Sequence, residues 1–313
     1  MFYGDTMTDE PSYQIDAISP VGYIPLPLDN DDHKRLLRAK TALRFGVGFE
    51  QRFDILLENY ATLERYILDL ALRNAVFIGD STSRLGEAKH TVNRHLNNLL
   101  SSAKLYIDQT AHAISDQFGN ASSQYRRFID STREEYDNSL AYRALEALRG
   151  YAQHRGLPTH SVSFSSRRDE TDPARIKNRH IVTFGLVPET IREDGRFKSS
   201  VLQELDSIVD KDGKIEIMPL IREYVSGIAR VHKSTRMAIS AELDMADSFV
   251  ASLFERVAAL TGHRCISARI WGTTDEGMIS FGAISSEWTK DRRSYAEKNC
   301  YAEYISGQYV SSQ

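Results

Sequence analysis

The sequence predicts a mainly α protein, an antiparallel helical bundle followed by a smaller α+β region toward the C-terminus. Three observations carry that expectation. Apolar residues recur at helical spacing over three consecutive long stretches between about residues 49 and 157. The connections between those stretches are short, so neighbours must fold back on one another to hide their apolar stripes. Beyond Pro158 the texture changes to short alternating runs, interrupted by one further long helical stretch.

Taken in order, residues 1–28 read as extended, because Pro11, Pro20, Pro25 and Pro27 oppose helix, with Val21–Ile24 as a short strand or packed arm. A first helix is expected from Asp31 to Leu43, broken at Phe45-Gly46-Val47-Gly48. Phe49, Phe53, Leu56, Leu57, Tyr60, Leu63, Ile67 and Leu70 then mark a helix to about Ala75. Ile78–Ser81 reads as a turn, and Ser81 or Ser83 caps a second helix that Gly119-Asn120 ends. A third helix starts near Ala121, presents Tyr125, Phe128, Tyr136, Leu140, Ala144 and Leu148, and stops at Gly156 and Pro158. His160–Ser165 and Arg179–Val187 alternate like strands around a charged loop. A helix over Phe197–Val209, a turn at Asp210–Gly213, a short strand at Ile215–Ile217 and a long helix over Pro219–Leu260 follow. Cys265–Trp271 and Gly277–Phe281 are two further weak strands. The organisation expected is an extended arm over 1–29, a bundle over 30–158, and an α+β region with one long helix over 159–313. The boundary near 158 is open, since that long helix could join the bundle.

Composition narrows the class. A chain of 313 residues exceeds the roughly 100–200 of a single domain, and 41% hydrophobic with 26% charged residues is ordinary globular usage. The formal net charge of −4 provides no overall positive field, so nucleic-acid binding needs a local basic patch. Cys265 and Cys300 are too few and too far apart for a disulfide framework or zinc site, which suits a reducing, cytoplasmic setting. No secretory signal is read at the N-terminus, and no run of 18 apolar residues suggests a membrane span. The nine histidines do not cluster at metal-ligand spacing, and phosphate-loop, dinucleotide, HExxH and GxSxG motifs are absent. No metal or cofactor is therefore expected.

The segment that stands out closes the third helix: Leu148-Arg149-Gly150-Tyr151-Ala152-Gln153-His154-Arg155-Gly156-Leu157-Pro158. Arg149 and His154 are i and i+5, about 140° apart on an ideal helix. They converge only if the last turn is distorted or if both edge one groove. The same loose spacing occurs at Arg84/His90, Arg155/His160, Arg175/His180 and Arg256/His263, but only Arg149/His154 stands at the end of a long helix.

The Arg149/His154 pair resembles the R-x4–6-H signature of the HEPN superfamily, whose helical bundles include metal-independent ribonucleases. The string Tyr151–Pro158 is similar to the helix end of bacterial HEPN-like proteins, and the resemblance covers about residues 49–157. It departs at Gly150, where active members carry a polar residue. The resemblance implies an endoribonuclease, a toxin or antiviral effector in setting, with His154 as base for the ribose 2′-hydroxyl and Arg149 as a fixed cation on the phosphate. It also implies a 2′,3′-cyclic phosphate product and a homodimer with two Arg/His pairs in one cleft. Tyr151 and Gln153 are auxiliary candidates, to orient the histidine or touch a base.

Arg155, Arg167, Arg168, Arg175, Lys177 and Arg179 gather after the helix, and Arg155, Arg167, Arg168 and Lys177 are the candidate RNA contacts. Asp169, Glu170 and Asp172 are interleaved with them and would cancel much of the field, which leaves a solvated loop as the alternative reading. Two other readings stay open: a non-catalytic helical module for RNA or protein, and a structural or accessory assembly protein. RNA, a second copy of the chain and a regulatory protein are the partners these readings name.

Overall fold

A computed structural model describes residues 13–19, 22–77, 81–169, 177–193, 195, 197–274 and 277–308. In chain order, β1 (Tyr13–Ser19) and β2 (Gly22–Leu28) precede α1 (Asn30–Val76), α2 (Ser81–Phe118), α3 (Ser123–Asn138) and α4 (Leu140–His154). Then come β3 (Ser161–Asp169), β4 (Lys177–Leu186), α5 (Pro188–Arg192), α6 (Ser199–Asp206) and β5 (Ile215–Glu216). Last are α7 (Ile217–Thr261), β6 (Ser267–Thr274), β7 (Gly277–Ser285), α8 (Glu287–Lys298) and a 3-10 turn, Ala302–Gly307. The protein is mainly α with a smaller α+β part. Among the described residues no helix is long and apolar enough to cross a membrane.

The contacts group the chain into two units, residues 1–51 with 238–298 and residues 52–237 with 299–313. This differs from a cut near residue 158, because α1 and α7 each contribute to both units. In the first unit, β2-β1-β6-β7 form one antiparallel sheet. The 1–29 segment is thus no separate arm: its described part is a hairpin whose β1 also pairs with β6, Ile15 opposite Ile270 and Ala17 opposite Ala268. Those four side chains are buried, as are Leu26 and Ile284. Alternation along each strand produces this one apolar face. Asp29 caps α1 by accepting from the Asp32 N–H at 2.7 Å, and Asp31 and Asp32 sit in its positive first turn.

The expected break at residues 45–48 does not occur; α1 runs through it. A side chain at Gly46 would meet Leu243 and the Arg292 stem at 3.0–3.1 Å, so this glycine serves close packing against α7 and α8. A different glycine interrupts the sheet. β6 and β7 slip register between Ile270 and Trp271, and Gly282 there has φ +86°, a value that disfavours any side chain. The displaced Phe281 carbonyl accepts from Lys40.

The second unit has one continuous core. It joins Phe53, Leu56 and Leu63 of α1 to Leu96, Leu99 and Tyr106 of α2, and Leu145 and Leu148 of α4. It continues through Val182 and Phe184 of β4, Leu205 of α6, and Ile221, Tyr224 and Ile228 of α7. The long second-half helix therefore does join the bundle. The third helix, expected as one piece, is two. Ser139 is extended (φ −117°, ψ 115°), donates its N–H to the Glu135 carbonyl to close α3, and accepts from the Tyr142 N–H to open α4. After α4 the chain is tied down by Asn93: its amide donates to the Thr159 carbonyl at 3.2 Å and its carbonyl accepts from the Thr159 N–H at 2.9 Å. The expected turn at Ile78–Ser81 lies mostly outside the described residues.

Candidate functional site: a groove along the end of α4

One face of α4 is committed to the core through Ala141, Tyr142, Ala144, Leu145 and Leu148. The next stripe, Arg143, Glu146, Ala147, Gly150, Tyr151 and His154, steps by three or four residues and stays on one side of the helix. Those residues line a groove of about 430 Å³, closed by Tyr136 of α3, by Arg155, and by Phe197 and Lys198 ahead of α6. His154 and Arg155 are exposed at its end. At Gly150 a Cβ would meet no atom within 4 Å, so the space above it is open.

Several groove residues are fixed from behind. Arg143 grips Glu204 with two nitrogens (3.2 and 2.5 Å) and donates to the Tyr136 and Asp137 carbonyls. Glu146 accepts from the buried Tyr224 hydroxyl at 2.6 Å. Burial, then the Glu146 charge, push the Tyr224 hydroxyl well above the usual phenol range, so it stays a donor. Lys198 donates to the Tyr136 hydroxyl at 2.7 Å and lies 5.1 Å from its ring centre. Tyr151 meets His160 edge-on, with ring centres 6.4 Å apart. His160 accepts at Nδ1 from the Val187 N–H (3.0 Å), and burial followed by the Lys89 charge lowers its pKa.

The structure does not bring Arg149 to this groove. Arg149 lies on another stripe of the helix, where Nη1 donates to Gln153 at 3.0 Å and Nε is buried without a hydrogen-bond partner. Because α4 remains helical through His154, the roughly 140° between i and i+5 is not undone by distortion. The expected convergence of Arg149 and His154 is therefore not found in this chain. Of the auxiliary candidates, Tyr151 lines the groove and Gln153 belongs to Arg149. Of the expected RNA contacts, Arg155 lines the groove, whereas Arg167 and Arg168 stand exposed on β3. Lys177 opens β4, with its side chain outside the described residues; Arg175 also lies outside them.

Sequence reasoning missed Arg143, Glu146, Tyr136, Phe197 and Lys198. For the first two a signal existed: counting back from His154 by 8 and 11 positions stays on its own stripe, whereas counting back 5 leaves it. The other three arrive through tertiary packing. Compared with known proteins, the chain matches no family model, no curated protein and no solved structure.

Among the described residues no group of three or more His, Cys, Asp or Glu could hold a metal ion. Cys265 is buried and Cys300 exposed, both free. The groove combines exposed cationic groups at its rim with aromatic rings in its walls. Chemically, that set suits a phosphate with an attached planar base.

Proposed function

We propose that the protein is a cytoplasmic, HEPN-like helical module that binds single-stranded RNA in the groove along α4. The observation that supports this best is the gathering of His154, Arg155 and Lys198 around Tyr136, Tyr151 and Phe197 in one open groove. Arg155 and Lys198 would take phosphate oxygens, His154 would hydrogen-bond the backbone, and the rings would stack on bases, a contact worth about 1–3 kcal/mol per base. Fluorescence anisotropy with a short labelled single-stranded RNA tests it. His154→Ala and Lys198→Ala should each weaken binding several-fold, and Phe197→Ala roughly tenfold or more, from the loss of one stacked base. Wild-type affinity in all three variants would dismiss the groove as the RNA site.

A metal-independent endoribonuclease, acting as a toxin or antiviral effector, is the second reading. It is favoured by the exposed imidazole of His154 at the groove, where a 2′-hydroxyl could reach it. It requires Arg149 to leave Gln153, or a second copy of the chain to supply the cation. RNA incubated with wild type in EDTA should then yield 2′,3′-cyclic phosphate ends, lost in both His154→Ala and Arg149→Ala. Intact RNA alongside retained binding supports the first reading alone.

A further inference from the structure

The β3–β4 hairpin has a root and a tip of different character. At the root, Val182, Phe184 and Leu186 are buried and Val162 and Phe164 pack against the core. β5 pairs with β4 only at Gly185 and Leu186, so beyond that point both strands are edges of a two-stranded ribbon. Toward the tip, Ser165, Ser166, Arg167, Arg168, Asn178 and Arg179 are all exposed.

Register sets the cations. Arg167 is directly opposite Arg179, so the two share one face; Arg168 is opposite Asn178 on the other. Like charges directly opposite destabilise a ribbon. Among the described side chains none of the three has a carboxylate in an ion pair with it, and the acidic residues nearest in the chain, Asp169, Glu170 and Asp172, have side chains outside the described ones. Elsewhere in the same unit Arg143, Arg192, Arg222 and Arg230 each hold a carboxylate. Among its described residues the outer part of the ribbon thus carries cations on both faces and no exposed large apolar side chain. A ribbon between two walls of phosphate needs cations on both faces.

We propose that this ribbon is a separate nucleic-acid surface that enters the major groove of duplex DNA. A β-ribbon with its side chains is about 10 Å thick, and the B-form major groove, about 12 Å wide, admits one. The A-form major groove of RNA is deep and too narrow. The surface does not depend on the α4 groove. From Ser161, beside that groove's Tyr151–His160 contact, to Arg167 is six strand residues, or about 20 Å.

Anisotropy with the full chain and a labelled DNA duplex of about two helical turns tests this. Three phosphate contacts predict a log–log salt slope near −2.7, or roughly 40-fold weaker binding at 200 than at 50 mM salt. Arg167→Ser with Arg179→Ser should reduce that slope by about 2, and Arg168→Ser by about 1. Arg167→Lys with Arg179→Lys should keep it, and so should Lys211→Ser on an exposed turn. All are exposed positions, and an unchanged melting temperature verifies folding. The proposal fails if the DNA duplex does not bind, in which case the arginines serve only to protect exposed strand edges. It fails equally if the serine variants keep the slope, or if an RNA duplex or phosphatidylserine vesicles bind as tightly. Loss of single-stranded RNA binding in the serine variants would mean one shared surface and overturn it too.

Discussion

His160 shows how a single side chain couples position to pH. Its Nδ1 accepts from the Val187 backbone N–H, which leaves the proton on Nε2, and that atom is buried without a partner. Protonating Nδ1 would set a donor against a donor, with Lys89 adding a second positive charge. The folded ring therefore resists a proton that the unfolded ring accepts at the ordinary imidazole value. His33 behaves alike in the other unit, where it is buried and stacked on Tyr13 with ring centres 3.7 Å apart, and burial lowers its pKa. Between the lowered and the ordinary value the unfolded chain holds more protons, so stability rises with pH in that window. Thermal melts should be flat above about pH 7 and fall as pH drops through the ordinary imidazole range, about 6.5. His160→Asn, which keeps an acceptor and cannot titrate, should flatten part of that fall. An identical pH slope in wild type and variant would assign the effect to other groups.

Helices were legible where periodicity and caps agree. Ser122 was not singled out as a cap but accepts from the Tyr125 N–H, one residue from the expected start of the helix. The periodicity hid the break at Ser139, since Tyr136 and Leu140 continue the stripe across it; one capping serine decided otherwise. Gly46 misled in the opposite direction. A glycine that breaks a helix and one that admits a neighbouring helix look the same until the neighbours, Leu243 and Arg292, are in place. For the site, the α4 half of the groove was readable from His154 backward, and the wall of Phe197 and Lys198 was not, because it comes from 43 and 44 residues beyond His154. Gly150 carries the element-scale prediction. It sits in the interior of α4 with open space where a Cβ would go, so it costs helix stability without relieving a clash. Gly150→Ala should stabilise the protein by up to about 1 kcal/mol, seen as a higher denaturant midpoint at constant slope. A destabilised variant would mean that α4 needs flexibility at this turn.

At the scale of the whole molecule, the question is which parts fold together. A boundary near residue 158 follows from the change of texture there, and periodicity has no means of reporting which stripe covers which. In the second unit the faces of α1, α2 and α4 are covered by Val182, Phe184, Leu186, Leu205, Ile217, Ile221, Tyr224 and Ile228, all from beyond that boundary. Burying a large apolar side chain contributes about 1.5–3 kcal/mol. Losing these eight removes about 12–24 kcal/mol, as much as or more than the roughly 5–15 kcal/mol by which a domain is stable. A fragment of residues 30–158 should therefore not fold as a bundle on its own. It should keep much of its far-ultraviolet helical signal, lose near-ultraviolet dichroism, bind a hydrophobic dye and melt without a cooperative transition. The full chain should melt cooperatively and leave the dye unbound. If the fragment instead shows a sharp transition with native near-ultraviolet dichroism, the apolar faces of α1, α2 and α4 satisfy one another, and the second half is a covering layer, not part of the core.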